Sequence, residues 1–256
     1  MTDQLSLTIF NTGTLDAHDV PFVSAAGEIE RVDATFSSCC YLIRHPRGVL
    51  LWDTGLPDSL ATEERRVLPP SWRPVVTTTL RAALASVGLE PRAITHLGFS
   101  HLHIDHAGNA NDFPEATVLL HQHEFETAFN PHPPVAYRSD SYAGLRRNQI
   151  VQLTGDHDVF GDGSVVTVET PGHSPGHQSL LIELPVTGAV ILAGDLYYAQ
   201  ADRVTRRMPG WNSDRAATFR SMDRIEQIAA ETHAIILLGH DAAQAAALPR
   251  PPHFLS

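Results

Sequence analysis

There is no lysine in this chain: all 18 basic residues are arginine. That absence excludes Schiff-base chemistry, lysine general bases and the phosphate-cradling lysine of a P-loop. Cysteine is nearly as scarce, with only Cys39 and Cys40, adjacent in "SSCCYLIRH". Neighbouring thiols build no disulfide framework and match no spaced zinc motif, so they read as strand thiols with at least one buried. Positive charge is short as well. A formal net charge of -11 argues against nucleic acid or an anionic membrane as partner, since both are bound through basic patches, and favours a neutral or cationic small molecule. No apolar run approaches the ~18 residues of a membrane helix. The opening MTDQLSLTIF lacks the basic and long apolar regions of a secretory signal, so the expected compartment is the cytoplasm. With 256 residues, 43% of them hydrophobic, and no repeat or linker, residues 1–256 are expected to form a single domain.

What the chain has in abundance is histidine, 15 residues in all. His18, His45, His132, His157, His233 and His253 stand alone and read as surface or satisfied core groups. Strands and helices alternate around them. "LSLTIFNTG", "SSCCYLIRH", "GVLLWDTG", "AITHLGFS", "ATVLLHQHE", "SVVTVET", "GAVILAGD" and "AIILLGHD" are strand-like. "TTTLRAALASV" is helical and stops at Gly88. The clearest helix spans Asp214 to Glu231, capped by Ser213 or Asp214, with an apolar stripe through Met222 and Ile225. "PPSWRP" and "NPHPPVAYRSD" read as surface loops, the latter suited to a pocket wall, and "LPRPPHFLS" as a loose or docked tail.

Four strands end in a metal-ligand residue: "ITHLGFS" in His101, "VVTVETPG" in His173, "AVILAG" in Asp195 and "AIILLG" in His240. Loops at the carboxyl ends of neighbouring strands converge in layered α/β folds. In "SHLHIDHAGN", His101 and His103 project to one side of an extended backbone, whereas Asp105 and His106 lie past the bend. Two sites follow: His101, His103 and His173 for one, Asp105, His106 and His240 for the other, with Asp195 able to bridge them. Nitrogen and oxygen ligands without thiolate suit Zn²⁺, and also Fe²⁺, Co²⁺ or Mn²⁺. "LLHQHEF" repeats the H-x-H spacing at His121 and His123 without a following Asp-His pair, and reads as an exposed strand end with no catalytic role.

The segment resembles the H-x-H-x-D-H signature of the metallo-β-lactamase superfamily, and Asp53, His173, Asp195 and His240 match the remaining pattern in order. The resemblance implies a four-layer αβ/βα sandwich with two divalent metal ions at one edge of the sheets. It also makes Asp53 the acceptor that fixes a ligand histidine's tautomer and His177 a turn or supporting residue. Within the superfamily the chain is most similar to N-acyl homoserine lactonases, through "SHLHIDHAGN", "TPGHSPGHQSLLIE", "GDLYY" and "GHD". That resemblance implies attack of a metal-bridging hydroxide on a lactone carbonyl whose oxygen Tyr198 steadies. Asp105 then carries the proton to the leaving oxygen. Whether Tyr197 or Tyr198 faces the pocket stays open at this stage. Phe22, in an expected loop, with Met208 and Trp211, are candidates for an acyl groove by composition.

Rival readings carry different features. A glyoxalase II-type thioesterase is expected to add a helical C-terminal domain, and superfamily nucleases a basic exosite or a large insertion. True β-lactamases generally lack the bridging Asp. An organophosphate or aryl ester hydrolase shares all seven ligands and is the principal alternative; a non-catalytic metal-binding domain leaves Asp105 without a purpose. The expected partner is a small lactone or ester, and a homodimer is compatible with the resemblance.

Overall fold

The computed structural model describes residues 4–62 and 68–256. Its strands are, in chain order, β1 (Ser6–Val23), β2 (Ile29–His45), β3 (Gly48–Trp52), β4 (Trp72–Val76), β5 (His96–Gly98), β6 (Thr117–His121), β7 (Ile150–Leu153), β8 (His157–Asp158), β9 (Val165–Glu169), β10 (Gln178–Leu184), β11 (Gly188–Leu192), β12 (Met208–Pro209) and β13 (Ile235–Leu237). The helices are α1 (Leu80–Ser86), α2 (Ile104–Ala107), α3 (Gln122–Ala128), α4 (Ser139–Tyr142), α5 (Gln200–Thr205), α6 (Arg215–Thr232) and α7 (Ala242–Ala247). One sheet is ordered β12-β1-β2-β3-β5-β6-β7, with β4 pairing β1; the other is ordered β13-β11-β10-β9-β8.

The side-chain period of two builds the layers. In β2, Cys39, Tyr41 and Ile43 face the other sheet, while Cys40 and Leu42 face the helical layer that contains Leu80 and Leu84 of α1. In the second sheet, Leu180, Ile182, Val190 and Leu192 meet the first sheet, while Ile191 and Ile236 point the other way, onto Met222 and Ile225 of α6. Three apolar layers therefore separate helix, sheet, sheet and helix, a four-layer αβ/βα sandwich. Strands buried on both faces read as continuous apolar runs, which is why they were legible in sequence. α6 starts where expected, the Asp214 carboxylate accepting from Ala217 N–H at 2.8 Å.

Several local expectations change. β1 continues through "DAHDVPFV" and pairs with β2 as far as Val23–Ile29, so Phe22 lies in a strand rather than a loop. Register shifts between Asn11 and Gly13 and between Ala17 and Val20 break the alternation that would have revealed it. "PPSWRP" supplies the start of β4, which pairs with β1; an edge strand tolerates Pro74 there. β10 had not been recognised as a strand. The tail docks, with Leu7 and Leu255 exchanging backbone hydrogen bonds of 2.8 and 2.9 Å.

Candidate metal centre

The strand ends do converge. Ligand atoms of His101, His103 and His173 lie within 4.8 Å of one another, as do those of Asp105, His106 and His240, and those of His101, His106 and Asp195. Asp195 faces both trios: Oδ1 is 2.9 Å from His106 Nε2 and 3.1 Å from His240 Nε2, and Oδ2 is 3.2 Å from His173 Nε2. Its position follows β11 through a tight turn at Gly194, whose φ of 57° and closeness to His177 exclude a side chain.

The hydrogen bonds behind the cluster decide which nitrogens face inward. His106 Nδ1 donates to Asp53 Oδ2 at 2.9 Å, and His240 Nδ1 to the Ser37 carbonyl at 2.7 Å. Ser100 Oγ donates to Asp53 Oδ2 and so accepts from His101 Nδ1 at 3.1 Å. Asn212 Nδ2 donates to Thr218 Oγ1, which turns the amide oxygen toward His173 Nδ1 at 3.0 Å. Each ring thus carries its proton on Nδ1 and presents an Nε2 lone pair to the centre. Those lone pairs face one another and a carboxylate: His106 Nε2 and His240 Nε2 are 3.4 Å apart, and His173 Nε2 is 3.1 Å from His103 Nδ1. Among the described residues, buried His101 Nε2 has no hydrogen-bond partner. Imidazole nitrogens converging on one shared carboxylate fit divalent cations, and the set of N and O ligands fits a two-metal site.

Electrostatics divide the histidines: three favour the neutral form, and two favour a second proton while no cation is bound. Burial pushes His101, His103 and His173 below the ordinary imidazole range, which keeps them neutral and ligand-ready. Burial opposes charge on His106 and His240 too, but Asp195 and Asp105 outweigh it and raise both. Asp195 is also disfavoured as an anion by burial, yet the surrounding histidines hold it well below the usual carboxylate range.

Asp53 sits at a strand end with φ of 59°, a left-handed conformation that Asp tolerates. The turn places its carboxylate beneath the loop, where it accepts from Ser100 N–H (2.7 Å), Ser100 Oγ and His106. It is therefore both the turn residue and the supporting acceptor. His177 is fully buried; Nδ1 donates to the Thr170 carbonyl at 2.9 Å and Nε2 accepts Asp195 N–H at 3.0 Å. Burial, followed by nearby His173, lowers it to about 3.

The two tyrosines separate. Tyr197 Oη donates to Glu226 Oε1 at 3.0 Å, away from the cluster, whereas Tyr198 Oη donates to Asp195 Oδ2 at 2.6 Å. Burial, then the Asp195 charge, pushes the Tyr198 phenol well above its usual range, so it remains a donor. Tyr198, His103, Asp105 and His173 line a cavity of ≈ 440 Å³ whose other walls include Leu15, Leu68, Trp72, Val135 and Trp211. Trp211 is thus a wall residue. Phe22 lies behind the wall, its ring edge-on to Tyr198 and Trp211 at 5.6 and 5.8 Å. Met208 is not in the cavity: β12 pairs it with Val23 and buries it among Tyr197, Met222 and Ile225.

The second H-x-H pair is also placed differently from expectation. His121 is buried at the end of β6, its Nε2 3.2 Å from Glu169, and only His123 is exposed, in α3. Sequence reasoning missed the supporting groups Ser100, Asn212 and Ser37, and it missed Glu124. Only Ser100, next to the first ligand, carried any local signal.

Comparisons with known proteins agree with this geometry. The sequence pattern of the Metallo-beta-lactamase superfamily matches residues 34–240. The chain is similar to the N-acyl homoserine lactonase AttM of Azorhizobium caulinodans, 30% identical with 94% of both chains covered. It is similar also to the N-acyl homoserine lactonase AiiA of Bacillus thuringiensis subsp. kurstaki, 31% identical over 80% of this chain and 81% of the relative. Among solved structures, an N-acyl homoserine lactone hydrolase with the product N-hexanoyl-L-homoserine at its catalytic metal centre superposes with a TM-score of 0.81 at 27% identity, covering 98% of each chain.

Proposed function

The chain belongs to the metallo-β-lactamase superfamily, and from that membership we propose that it hydrolyses the lactone ring of N-acyl homoserine lactones. The observation that carries this reading is the Tyr198 hydroxyl, 2.6 Å from Asp195, in the wall of an apolar cavity that opens onto both ligand trios. The relatives' lactonase activity supports it.

His101, His103 and His173 would hold one divalent cation, Asp105, His106 and His240 a second, with Asp195 between them; the nitrogen and oxygen set suits zinc, and also Fe²⁺, Co²⁺ or Mn²⁺. When bound, such a pair lowers the pKa of water and polarises an ester carbonyl. The chain's own residues orient and protonate. Tyr198, whose hydroxyl donates to Asp195 here, turns that donor toward the carbonyl oxygen as charge develops there, and its raised phenol pKa keeps the proton available. Asp105 lines the cavity floor and its side chain retains 14% exposure, within reach of substrate. It takes the proton that the attacking water gives up and delivers it to the ring oxygen as the C–O bond breaks, so water adds across the ester to give an alcohol and a carboxylic acid. Leu15, Leu68, Trp72 and Trp211 receive the acyl chain, each buried CH₂ contributing about 0.8 kcal/mol.

Proton release on adding a medium-chain N-acyl homoserine lactone to protein carrying two equivalents of metal tests the proposal. Rapid release that His106→Ala abolishes is expected. No release from demonstrably two-metal protein overturns the substrate and directs attention to aryl esters and phosphotriesters.

A further inference from the structure

The residue after the second H-x-H pair is Glu124, the first-turn glutamate of α3. Its side chain is completely buried, and among the described residues no arginine pairs with it. Burying a carboxylate is costly unless its oxygens are satisfied, and here they are. Leu102 N–H donates to Oε1 at 2.8 Å, and Ser174 Oγ and Gly176 N–H donate to Oε2 at 2.6 and 3.2 Å.

These donors lie in informative places. Leu102 separates His101 from His103, in the loop that leaves β5 of the larger sheet. Ser174 follows His173, in the loop between β9 and β10 of the smaller sheet. One carboxylate thus ties together the two loops that bring three histidines within 4.8 Å of one another. The loops also close onto α3 itself: a Cβ on Gly176 would lie 2.2 Å from Glu124 N, so glycine is required for this approach. Tyr137, whose ring is edge-on to His103 at 4.8 Å, packs over the same corner.

Nothing comparable reaches the second trio from Glu124. There the supporting carboxylate is Asp53, bonded to His106 at 2.9 Å, and His240 rests on the Ser37 carbonyl. We infer that Glu124 is the positioning residue for the His101, His103 and His173 site alone, whereas Asp53, bonded to His106 directly and to His101 through Ser100, backs both sites. This rests on the two-metal reading of the centre but not on the identity of the substrate.

The prediction is selective weakening. In Glu124→Gln the amide can keep one backbone donor but must set an NH₂ against the other. The test titrates metal-free protein with Co²⁺ against a chromophoric chelator, which reads the affinity of each equivalent without any turnover. Glu124→Gln should lower one affinity by about 10–100-fold, the usual scale for a group orienting a ligand, and leave the other near the wild-type value. Asp53→Asn, which loosens His106 directly and His101 through Ser100, should weaken both equivalents. Ser174→Ala, which removes one donor and keeps the carboxylate, should weaken the same equivalent as Glu124→Gln by less, and serves if Glu124→Gln does not fold. For Glu124→Gln, unchanged affinities, or loss of both equivalents together as expected of a general packing role, would overturn the inference. Wild-type protein that binds fewer than two Co²⁺ would instead overturn the two-metal reading itself.

Discussion

The chain contains the spacing H-x-H twice, and the two copies have different fates. At His101 and His103 the backbone stays extended into the loop and the rings come together, centroids 4.4 Å apart, with His173 beside both. At His121 and His123 the chain turns from β6 into α3, the centroids stand 5.4 Å apart, and the rings find different carboxylates, Glu169 and Glu126. Both pairs have acidic neighbours. Only the first has a third and fourth ligand brought to its front by other strands, with Ser100 Oγ behind His101 Nδ1. The comparison teaches that spacing nominates a ligand pair, whereas partners remote in sequence decide whether it becomes a centre.

The sharpest way to break the comparison is to remove one ring from the first pair. His101→Ala should lower lactone turnover by about 10³-fold or more, since the loss of a cation's charge stabilisation is worth several kcal/mol. Metal analysis of the purified variant should show fewer than two equivalents. The hydroxyl that donates to Asp195 is next. Tyr198→Phe should keep both metals and lower kcat roughly 10²-fold, the scale of one lost oxyanion donor; wild-type kcat would remove Tyr198 from the mechanism. A smaller, chain-length-dependent effect belongs to the cavity wall. Trp211→Ala should raise KM about tenfold for a decanoyl lactone and much less for a butanoyl one, because the lost contact is with the alkyl chain. The smallest effect belongs to the second pair. His123→Ala, at an exposed ring, should leave turnover unchanged and move stability by no more than about 0.5 kcal/mol. A large loss there would erase the distinction between the copies.

Glu124 shows where a reading of the second copy by ligand spacing stops. The segment "LLHQHEF" was weighed for its histidines, and on that ground it reads as an exposed end. The residue that touches the ligand loops is the glutamate, and a glutamate in an apparently ordinary helix start is indistinguishable from a solvated one until the helix is placed against two loops. Met208 makes the opposite point. Its position near the ligand-bearing segments suggested the cavity, but pairing with β1 turns it into the core below Tyr197.

The sequence by itself nominated the seven ligand-type residues, their division into two trios with Asp195 between, and most of the strands, while the four-layer sandwich followed from the family resemblance those residues carry. These are local properties: ligand chemistry, apolar runs and strand ends are written in consecutive residues. It also nominated Asp53, whose strand-end turn is a local feature. Tertiary structure alone decided that Tyr198 rather than Tyr197 meets Asp195, that Trp211 and not Met208 forms the cavity wall, and that β1 runs on past its bulges. It alone placed Glu124, Asn212 and Ser37 behind the ligands. Each of those outcomes depends on a neighbour from another strand or helix, and a side chain's direction relative to such a neighbour is set by packing and register rather than by the residues beside it in the chain.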